Sequence, residues 1–220
     1  MIHNLGNQNS ILNQYIAELR DEVVQQDSLR FRFNLERISA ILAYEISKNL
    51  TFTPQEITTP LGTAEVPMLT DQVVIASILR AGLPMHTGML KVFDKAENAF
   101  ISAYRKYAKD ESFQIKIEYA SCPPLTDKTL IICDPMLATG ASMVMAIKEI
   151  SQNGKPQHIH IASVLASSEG VEYLKKQLKH GSFTFWVGAI DDELTAQAYI
   201  VPGLGDAGDL AFGIKTDSHQ

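Results

Sequence analysis

The chain has 220 residues and a net charge of −6 at pH 7, with 45% hydrophobic and 20% charged residues. These proportions are ordinary for a globular protein and exclude a disordered or collagen-like chain. The length predicts a single domain, 1–220, that can bury a core without metal or disulfides. No apolar run approaches the ~20 residues that a transmembrane helix requires, so no membrane partner is expected.

The negative charge argues against a nucleic-acid partner, because a duplex-binding surface usually has a basic excess. It leaves room for a small phosphorylated ligand, since helix N-termini and loop amides supply a local positive field. Cys122 and Cys133 have no zinc-binding spacing and cannot build a disulfide framework, so both are expected to be core or semi-buried thiols. The N-terminus lacks the pattern of a secretory signal, which makes a cytoplasmic protein the default expectation.

Two helices are predicted in the first fifty residues. Apolar residues recur at helical spacing from Ile11 to Val23, with Ser10 as a plausible N-cap. A second helix is expected to begin at Asp27 or Ser28 and to run to about Asn49.

Two cations near the start of that second helix, Arg30 and Arg32, oppose the helix dipole. Another group is therefore expected to hold them. A solvated or intramolecular pairing is favoured, and an effector or subunit contact is the alternative.

The remainder of the chain reads as a hairpin, an alternation of strands and helices, and a cap. Residues 51–69 hold three prolines and a turn, which predicts a hairpin-like excursion. Predicted strands follow at 73–79, 99–104, 113–119 (an exposed arm), 129–133, 159–166 and 183–190, and predicted helices at 83–93, 141–152 and 169–179. This order predicts an α/β fold with a mostly parallel central sheet flanked by helices. Residues 190–220, here named the hood, break the alternation and predict a loop-rich cap.

One strand-to-helix connection, from Asp134 to Ser142, has the composition of a phosphate site. Its small and hydroxyl residues leave backbone N–H groups at a helix N-terminus, and Thr139 and Ser142 add hydroxyl donors. Asp134, at the strand tip, can accept hydrogen bonds from the vicinal hydroxyls of a sugar. Walker A and dinucleotide-binding glycine patterns are absent. A plain strand–loop–helix turn with an aspartate cap is the alternative.

Two further segments suit the same edge of the sheet. Arg80 directly follows the strand 73–79, so it is expected beside Asp134, where a guanidinium suits a diphosphate. The alternative is an arginine solvated at a strand end. The glycines within 199–209 allow backbone to approach a flat ligand and to contact a base edge, and an ordinary glycine-rich turn is the alternative.

Three motifs, ILRAG at 78–82, DPMLATGAS at 134–142 and YIVPGLGDAGD at 199–209, together resemble the uracil phosphoribosyltransferase family, over most of the chain from about Arg30. The resemblance implies the type I phosphoribosyltransferase fold, with a β-arm and a C-terminal hood over the base. It implies that the phosphoribosyl group of 5-phosphoribosyl 1-diphosphate (PRPP) is transferred to uracil, giving uridine monophosphate (UMP) and pyrophosphate. It further implies Mg²⁺ carried by PRPP rather than by a protein metal site, and a homodimer or higher homo-oligomer.

The same resemblance implies three sets of site residues. The catalytic set is Arg80, Arg105, Asp134 and Asp206. The PRPP-binding set adds Pro135, Met136, Leu137, Ala138, Thr139, Gly140, Ala141 and Ser142 to those four. The uracil-binding set is Ile200, Gly205, Asp206 and Ala207.

Four residues, Pro84, Ala141, Leu210 and Ile214, depart from the family pattern of glycine, glycine, a basic residue and threonine. Pro84 is tolerated in the first turn of a helix, and Ala141 unless its position requires a positive φ. The departures leave open a paralogue that binds PRPP without turnover. The fold also leaves open a transferase for another base, or an RNA-binding regulator of the pyrimidine-attenuator kind. The hood motif favours uracil, and the negative charge disfavours RNA.

Overall fold

The computed structural model describes residues 1–107, 113–178 and 183–215, with side chains for 1–102, 117–178 and 183–215. Its helices are α1 (Ile11–Arg20), α2 (Ser28–Ser47), α3 (Leu83–Leu90), α4 (Ala141–Ile150), α5 (Ser168–Gln177) and α6 (Ala207–Phe212). Its strands are β1 (Ile2–Asn4), β2 (Phe52–Thr59), β3 (Gly62–Leu69), β4 (Val73–Leu79), β5 (Glu97–Tyr107), β6 (Phe113–Ser121), β7 (Thr129–Cys133), β8 (Met136–Leu137), β9 (His158–Ser167), β10 (Phe183–Asp191), β11 (Glu193–Leu194) and β12 (Ile200–Val201).

The central sheet has the strand order β1-β10-β9-β7-β4-β5-β6. The short strand β8, which follows β7 in the chain, also pairs with β9. All neighbours in this order pair in parallel except β5 and β6, which are antiparallel. β4 and β7 are apolar along almost their whole length because helices cover both faces of a parallel sheet. The predicted α/β class, with a mostly parallel sheet flanked by helices, is confirmed.

Two apolar cores lie on opposite faces of this sheet. One joins α1, α2, α3 and the hood to alternate residues of the strands, such as Ile75 and Ile131. The other joins α4 and α5 to the intervening residues, such as Val74 and Ile132. The hood therefore shares its core with the N-terminal helices. None of the described helices is long and apolar enough to cross a membrane.

Three short elements differ from the sequence prediction. β1 lies before the first predicted helix, where no strand was expected, yet it pairs with β10, with Ile2 opposite Phe185. β8 lies inside the predicted phosphate loop, and α6 lies inside the predicted loop-rich cap. Segments of two to six residues are too short to show a periodic pattern, so only their tertiary partners define them.

The predicted start of α2 and its two arginines are accounted for within the chain. The carboxylate of Asp27 caps the helix, accepting hydrogen bonds from two backbone N–H groups at 3.0 and 3.1 Å. Arg30 pairs with Glu18 of α1 at 3.2 Å. Arg32 donates to the carbonyl of Ala211 in the hood at 2.7 Å. The expected intramolecular partners of the two cations are thus confirmed.

The predicted hairpin is formed by β2 and β3, which make a separate two-stranded antiparallel sheet. Every residue of both strands is exposed, and Leu61 at the tip is fully so. Since residues directly opposite in such a pair lie on one face, Ile57, Val66 and Met68 share a face of the hairpin.

A buried histidine on β9 contributes a pH-sensitive element to the core. The indole N–H of Trp186 donates to Nδ1 of His160 at 3.1 Å, which requires that nitrogen to be unprotonated. Burial, reinforced by nearby His158, lowers the pKa of His160 to about 4. The folded protein therefore holds this ring neutral well below the ordinary histidine range.

We expect the free energy of unfolding to fall as the pH is lowered from about 6.5 towards 4, because the unfolded ring gains a proton near 6.5 while the folded ring resists it until about 4. Above that window both states are neutral and the residue adds no pH dependence. His160→Asn keeps an acceptor for the indole and removes the titration. Its urea midpoint should therefore change less with pH than that of the wild type, and equal pH dependence would contradict this assignment.

Candidate active site

Arg80 and Asp134 lie at the same edge of the sheet because the strands that precede them are neighbours. β4 and β7 pair in parallel, with Ser77 opposite Cys133, and each strand continues directly into its charged residue. A Cβ added to Gly82 would lie 2.9 Å from the carbonyl oxygen of Cys133, so the loop after β4 passes against the end of β7. The structure thus brings these two predicted site residues to one edge of the sheet.

The Arg80 side chain is partly exposed and tied to the hood. Its Nη2 donates to Oδ1 of Asp209 at 2.9 Å and to the carbonyl of Gly213 at 3.3 Å. Its Nε is buried and has no hydrogen-bond partner among the described residues. A guanidinium carries five N–H donors, so Arg80 retains donor capacity for a ligand at this edge.

The phosphate loop predicted at 134–142 is anchored to β9 and α5. The carbonyl of Pro135 accepts from the backbone of β9 at 2.9 and 3.1 Å. The Ser167 hydroxyl donates to the carbonyl of Ala138 at 2.5 Å and accepts from the N–H of Gly170 at 2.8 Å. On the loop side these contacts use the carbonyl groups of Pro135 and Ala138. They leave the backbone N–H groups at the start of α4 unused.

The loop ends at Gly140, which stands at the N-cap of α4 with φ of +77° and no capping side chain. The Thr139 hydroxyl accepts a long bond, 3.4 Å, from the N–H of Ala141. A helix N-terminus of this kind carries N–H groups and a positive dipole end that suit a phosphate. The alternative of an aspartate cap does not hold for α4, because Asp134 lies six positions before Gly140, the residue that occupies the N-cap.

The predicted base-binding residues fall in one compact part of the hood. Ile200 lies in β12, which pairs with β11, and Gly205 follows a turn at Gly203. Asp206 caps α6, since its Oδ1 accepts from the N–H of Asp209 at 2.9 Å. Gly208 approaches the loop after β4, and a Cβ added to it would lie 3.8 Å from Nη2 of Arg80. The hood is therefore packed directly against the loop that carries Arg80.

A cavity of about 410 Å³ opens beside the hood. Gly205 and Asp206 border it on one side, and Gln25, Gln26 and Ser28 border it on the other. Its size is that of a small-molecule pocket, and it brings the start of α2 alongside two of the predicted base contacts.

The fourth catalytic candidate, Arg105, lies in β5 opposite Ile115 of β6. Its side chain is outside the described part of the structure. Of the two cysteines, Cys122 is partly buried and Cys133 fully buried, as expected. Burial, with the neighbouring Asp134, raises the pKa of Cys133 far above its usual range, so this thiol next to the site stays protonated and unreactive.

The departures from the family pattern are accommodated locally. Pro84 lies in the first turn of α3, where it displaces no helical hydrogen bond. The position in the loop that needs a positive φ is Gly140, while Ala141 is the first residue of α4. Leu210 packs against the apolar core, and Ile214 is exposed. Leu210 and Ile214 both line the cavity beside the hood, so two of the four departures lie at the candidate site itself.

Two site contacts escaped the sequence prediction. Asp209 lies within the motif at 199–209, but nothing in the motif indicates that it pairs with Arg80. Arg20 and Asp191 form a second ion pair at 2.7 Å, between α1 and the first residues of the hood, with no sequence signal at either residue. The hood tie through Arg32 did have a signal, the unfavourable charge at a helix start.

Comparisons with known proteins agree with this geometry. The family model described as uracil phosphoribosyltransferase matches residues 7–214. A uracil phosphoribosyltransferase of Porphyromonas gingivalis is 53% identical over 215 residues, covering 98% of this chain and 99% of the relative. The chain belongs to the uracil phosphoribosyltransferase family.

A more distant relative and a solved structure extend the comparison. A relative of that name from Thermococcus gammatolerans is 37% identical over 208 residues, covering 93% of this chain and 90% of the relative. A protein of Aquifex aeolicus with a solved structure has a TM-score of 0.86 and 29% identity, covering 98% of this chain and 100% of that one. The resemblance carried by the three motifs, and the fold class it implied, are thereby confirmed.

Proposed function

We propose that this protein transfers the 5-phosphoribosyl group from PRPP to uracil and releases UMP and pyrophosphate. The observation that carries the proposal is the meeting of three parts at one sheet edge: Arg80, Asp134 with its phosphate loop, and the hood. The family assignment supports the choice of substrates.

The charges at this edge suit that reaction. Breaking the bond between ribose and diphosphate develops positive charge on the sugar and negative charge on the leaving group. Arg80 is proposed to hold the diphosphate, with Arg105 as the second cation. Asp134 is proposed to hold the ribose hydroxyls, and the amides and hydroxyls of 135–142 the 5-phosphate. No covalent nucleophile is needed, because preorganised charge stabilises the transition state.

Mg²⁺ is proposed to arrive with PRPP and to neutralise charge on the diphosphate. The described residues contain no group of three or more ligating side chains. Asp134 and Asp206 are hard oxygen donors at the site, and they fit an ion whose remaining ligands come from substrate and water. Asp206 is also proposed to lie close to PRPP, next to the α6 turn that meets Arg80.

The direct experiment supplies purified protein with PRPP, Mg²⁺ and a panel of free bases, and identifies the nucleotide formed. UMP from uracil alone supports the proposal. Formation of a different nucleotide would indicate a transferase for another base. PRPP binding without any nucleotide formed would indicate the non-catalytic paralogue.

The uracil site is proposed to contact the base mainly through backbone at Ile200 and 205–207. We expect 5-fluorouracil to be accepted and cytosine to be rejected. Cytosine replaces a carbonyl acceptor with an amino donor, so it would place N–H against N–H. An unpaired buried polar group costs ~1–3 kcal/mol, and two opposed donors cost more. The kcat/KM for cytosine should be at least about 100-fold below that for uracil, and comparable values would contradict backbone recognition.

We also propose a cytoplasmic location, in keeping with two unpaired cysteines.

The chain is further proposed to form a homodimer through the exposed hairpin. A lone two-stranded hairpin is marginally stable in water, and this one exposes Ile57, Val66 and Met68 on a single face. An apolar face of this kind is typical of an interaction surface. A second copy of the chain is its proposed partner.

Val66→Glu should convert an assembly of at least two 24.3 kDa chains to monomers, because it places a charge at the centre of that face. Glu65→Gln, on the opposite face of the same strand, is the matched control and should leave the assembly intact. Light scattering coupled to size exclusion gives the masses. A Val66→Glu protein of unchanged mass would exclude the hairpin as the interface.

A further inference from the structure

The turn between two of the predicted base contacts, Ile200 and Gly205, is tied to the body of the protein at one residue, Gly203. Arg20, the last residue of α1, donates to the two carboxylate oxygens of Asp191 at 2.7 and 2.8 Å. It also donates to the carbonyl of Gly203 at 2.9 Å. The N–H of Gly203 donates in turn to Oδ2 of Asp191 at 3.0 Å. Both backbone groups of one hood glycine are therefore held by a single ion pair.

The ion pair between Arg20 and Asp191 is largely buried, and its carboxylate is ionised at neutral pH. Asp191 is only 8% exposed and Arg20 24% exposed at the side chain. Burial alone would raise the pKa of Asp191, but the hydrogen bonds from Arg20 and from the N–H of Gly203 outweigh it and lower the pKa. The carboxylate is thus ionised at neutral pH, and a bidentate arginine pair of this kind fixes direction as well as distance.

Gly203 transmits this restraint to its neighbours because the turn is very compact. Its φ is +55°, and an added Cβ would lie 2.0 Å from the carbonyl oxygen of Ile200. Leu204, on its other side, is buried in the core shared with α1 and α2. A displacement of Gly203 would therefore also displace Ile200, three positions before it, and Gly205, two positions after it.

We propose that Arg20 and Asp191 are positioning residues that set the affinity of the site for the uracil base. The inference rests on the proposed function and adds to it two residues that do not touch the base. Recognition through backbone has no side-chain rotamer that could compensate for a displaced loop, so the placement of the loop determines base affinity. Apart from Asp206, the proposed PRPP contacts lie outside the hood, at the strand ends and in the phosphate loop, so PRPP affinity depends on Gly203 much less than base affinity does.

The test measures two affinities by titration calorimetry, that for UMP, which carries the base, and that for PRPP, which does not. Asp191→Asn keeps the shape but presents an amide donor to the donors of Arg20 and Gly203. Arg20→Lys keeps the charge with a poorer geometry. Arg30→Gln is the matched control, because it removes an arginine pair between α1 and α2 that does not reach the hood.

We expect Asp191→Asn to weaken UMP binding at least about tenfold and PRPP binding less than about twofold, with Arg20→Lys between it and the wild type. The retained PRPP affinity reports a folded protein, and if Asp191→Asn fails to fold, Arg20→Lys alone decides. Equal losses for both ligands, or no loss of UMP affinity, would overturn the positioning role. A wild-type protein that binds PRPP but not UMP would overturn the proposed function and this inference with it.

Discussion

Arg80→Ala is expected to lower kcat/KM for PRPP by about 10²- to 10³-fold while the protein remains folded. Arg80 stands at the edge where the diphosphate is proposed to leave, with a buried Nε that has no partner among the described residues. Removing one preorganised donor from a developing anion typically costs ~3–4 kcal/mol of barrier. Arg80→Lys should be intermediate, because an ammonium keeps the charge but loses the forked geometry.

Two further variants distinguish a role of Arg80 in holding the diphosphate from a role in packing the hood. Asp209→Asn removes the ion pair to the hood but leaves Arg80 in place, so it should cost much less than Arg80→Ala. Arg37→Ala removes an exposed arginine of α2 that stacks on Tyr15 and should leave turnover unchanged. Steady-state kinetics and thermal midpoints are measured together. Near-wild-type kcat/KM in Arg80→Ala would remove Arg80 from the catalytic set, and equal losses in Arg80→Ala and Asp209→Asn would limit it to anchoring the hood.

Gly82→Ala is expected to lower kcat/KM for PRPP by about 10²-fold through steric displacement of the loop that carries Arg80. The backbone of Gly82 is ordinary, with φ of −72°, so the effect is one of space. An added Cβ would lie 2.7 Å from the carbonyl oxygen of Ile78 and 2.9 Å from that of Cys133. These main-chain atoms belong to the central strands and cannot yield, so the loop must move. A displacement of about 1 Å at a reacting group costs ~10²-fold in rate.

Gly6→Ala is the matched control for this steric effect. There an added Cβ would lie 2.1 Å from the carbonyl oxygen of Gly188, near β1 and β10 at the far edge of the sheet. It should lower the thermal midpoint without changing the affinity for PRPP. If calorimetry finds PRPP affinity reduced equally in both variants, the loss reflects general destabilisation, and the local account of Gly82 is wrong.

The elements that carry the candidate site were predictable because each has a local signature. β4 and β7 are almost wholly apolar and each is followed directly by a charged residue, and β7 has the predicted bounds Thr129–Cys133. Parallel strands present their carboxyl ends at one edge, which is why Arg80 and Asp134 could be expected together. The hairpin was signalled by its prolines and turn. The family resemblance contributed the roles, which periodicity and spacing do not contain.

The ties between distant residues could not be predicted in the same way. Arg80 and Asp209 are 129 positions apart, and Arg20 and Asp191 are 171 apart. No periodicity relates such residues, and each one is also compatible with a solvated surface position. Arg32 was the partial exception, because a cation at a helix start is unfavourable unless something compensates it.

The sequence separation of these contacts differs between the phosphate loop and the hood. The two parts of the site can therefore form at different times during synthesis. The loop that is proposed to hold the 5-phosphate is anchored by Ser167 to Ala138, only 29 positions away. The hood depends on bonds from Arg20 and Arg32 that span 183 and 179 positions. Since a chain leaves the ribosome N-terminus first, helices α1 and α2 must wait for nearly the whole protein before they meet their hood partners. A nascent chain that ends before Gly203 therefore has the strands and the loop proposed for the 5-phosphate, together with Ile200, but lacks the other proposed base contacts at 205–207.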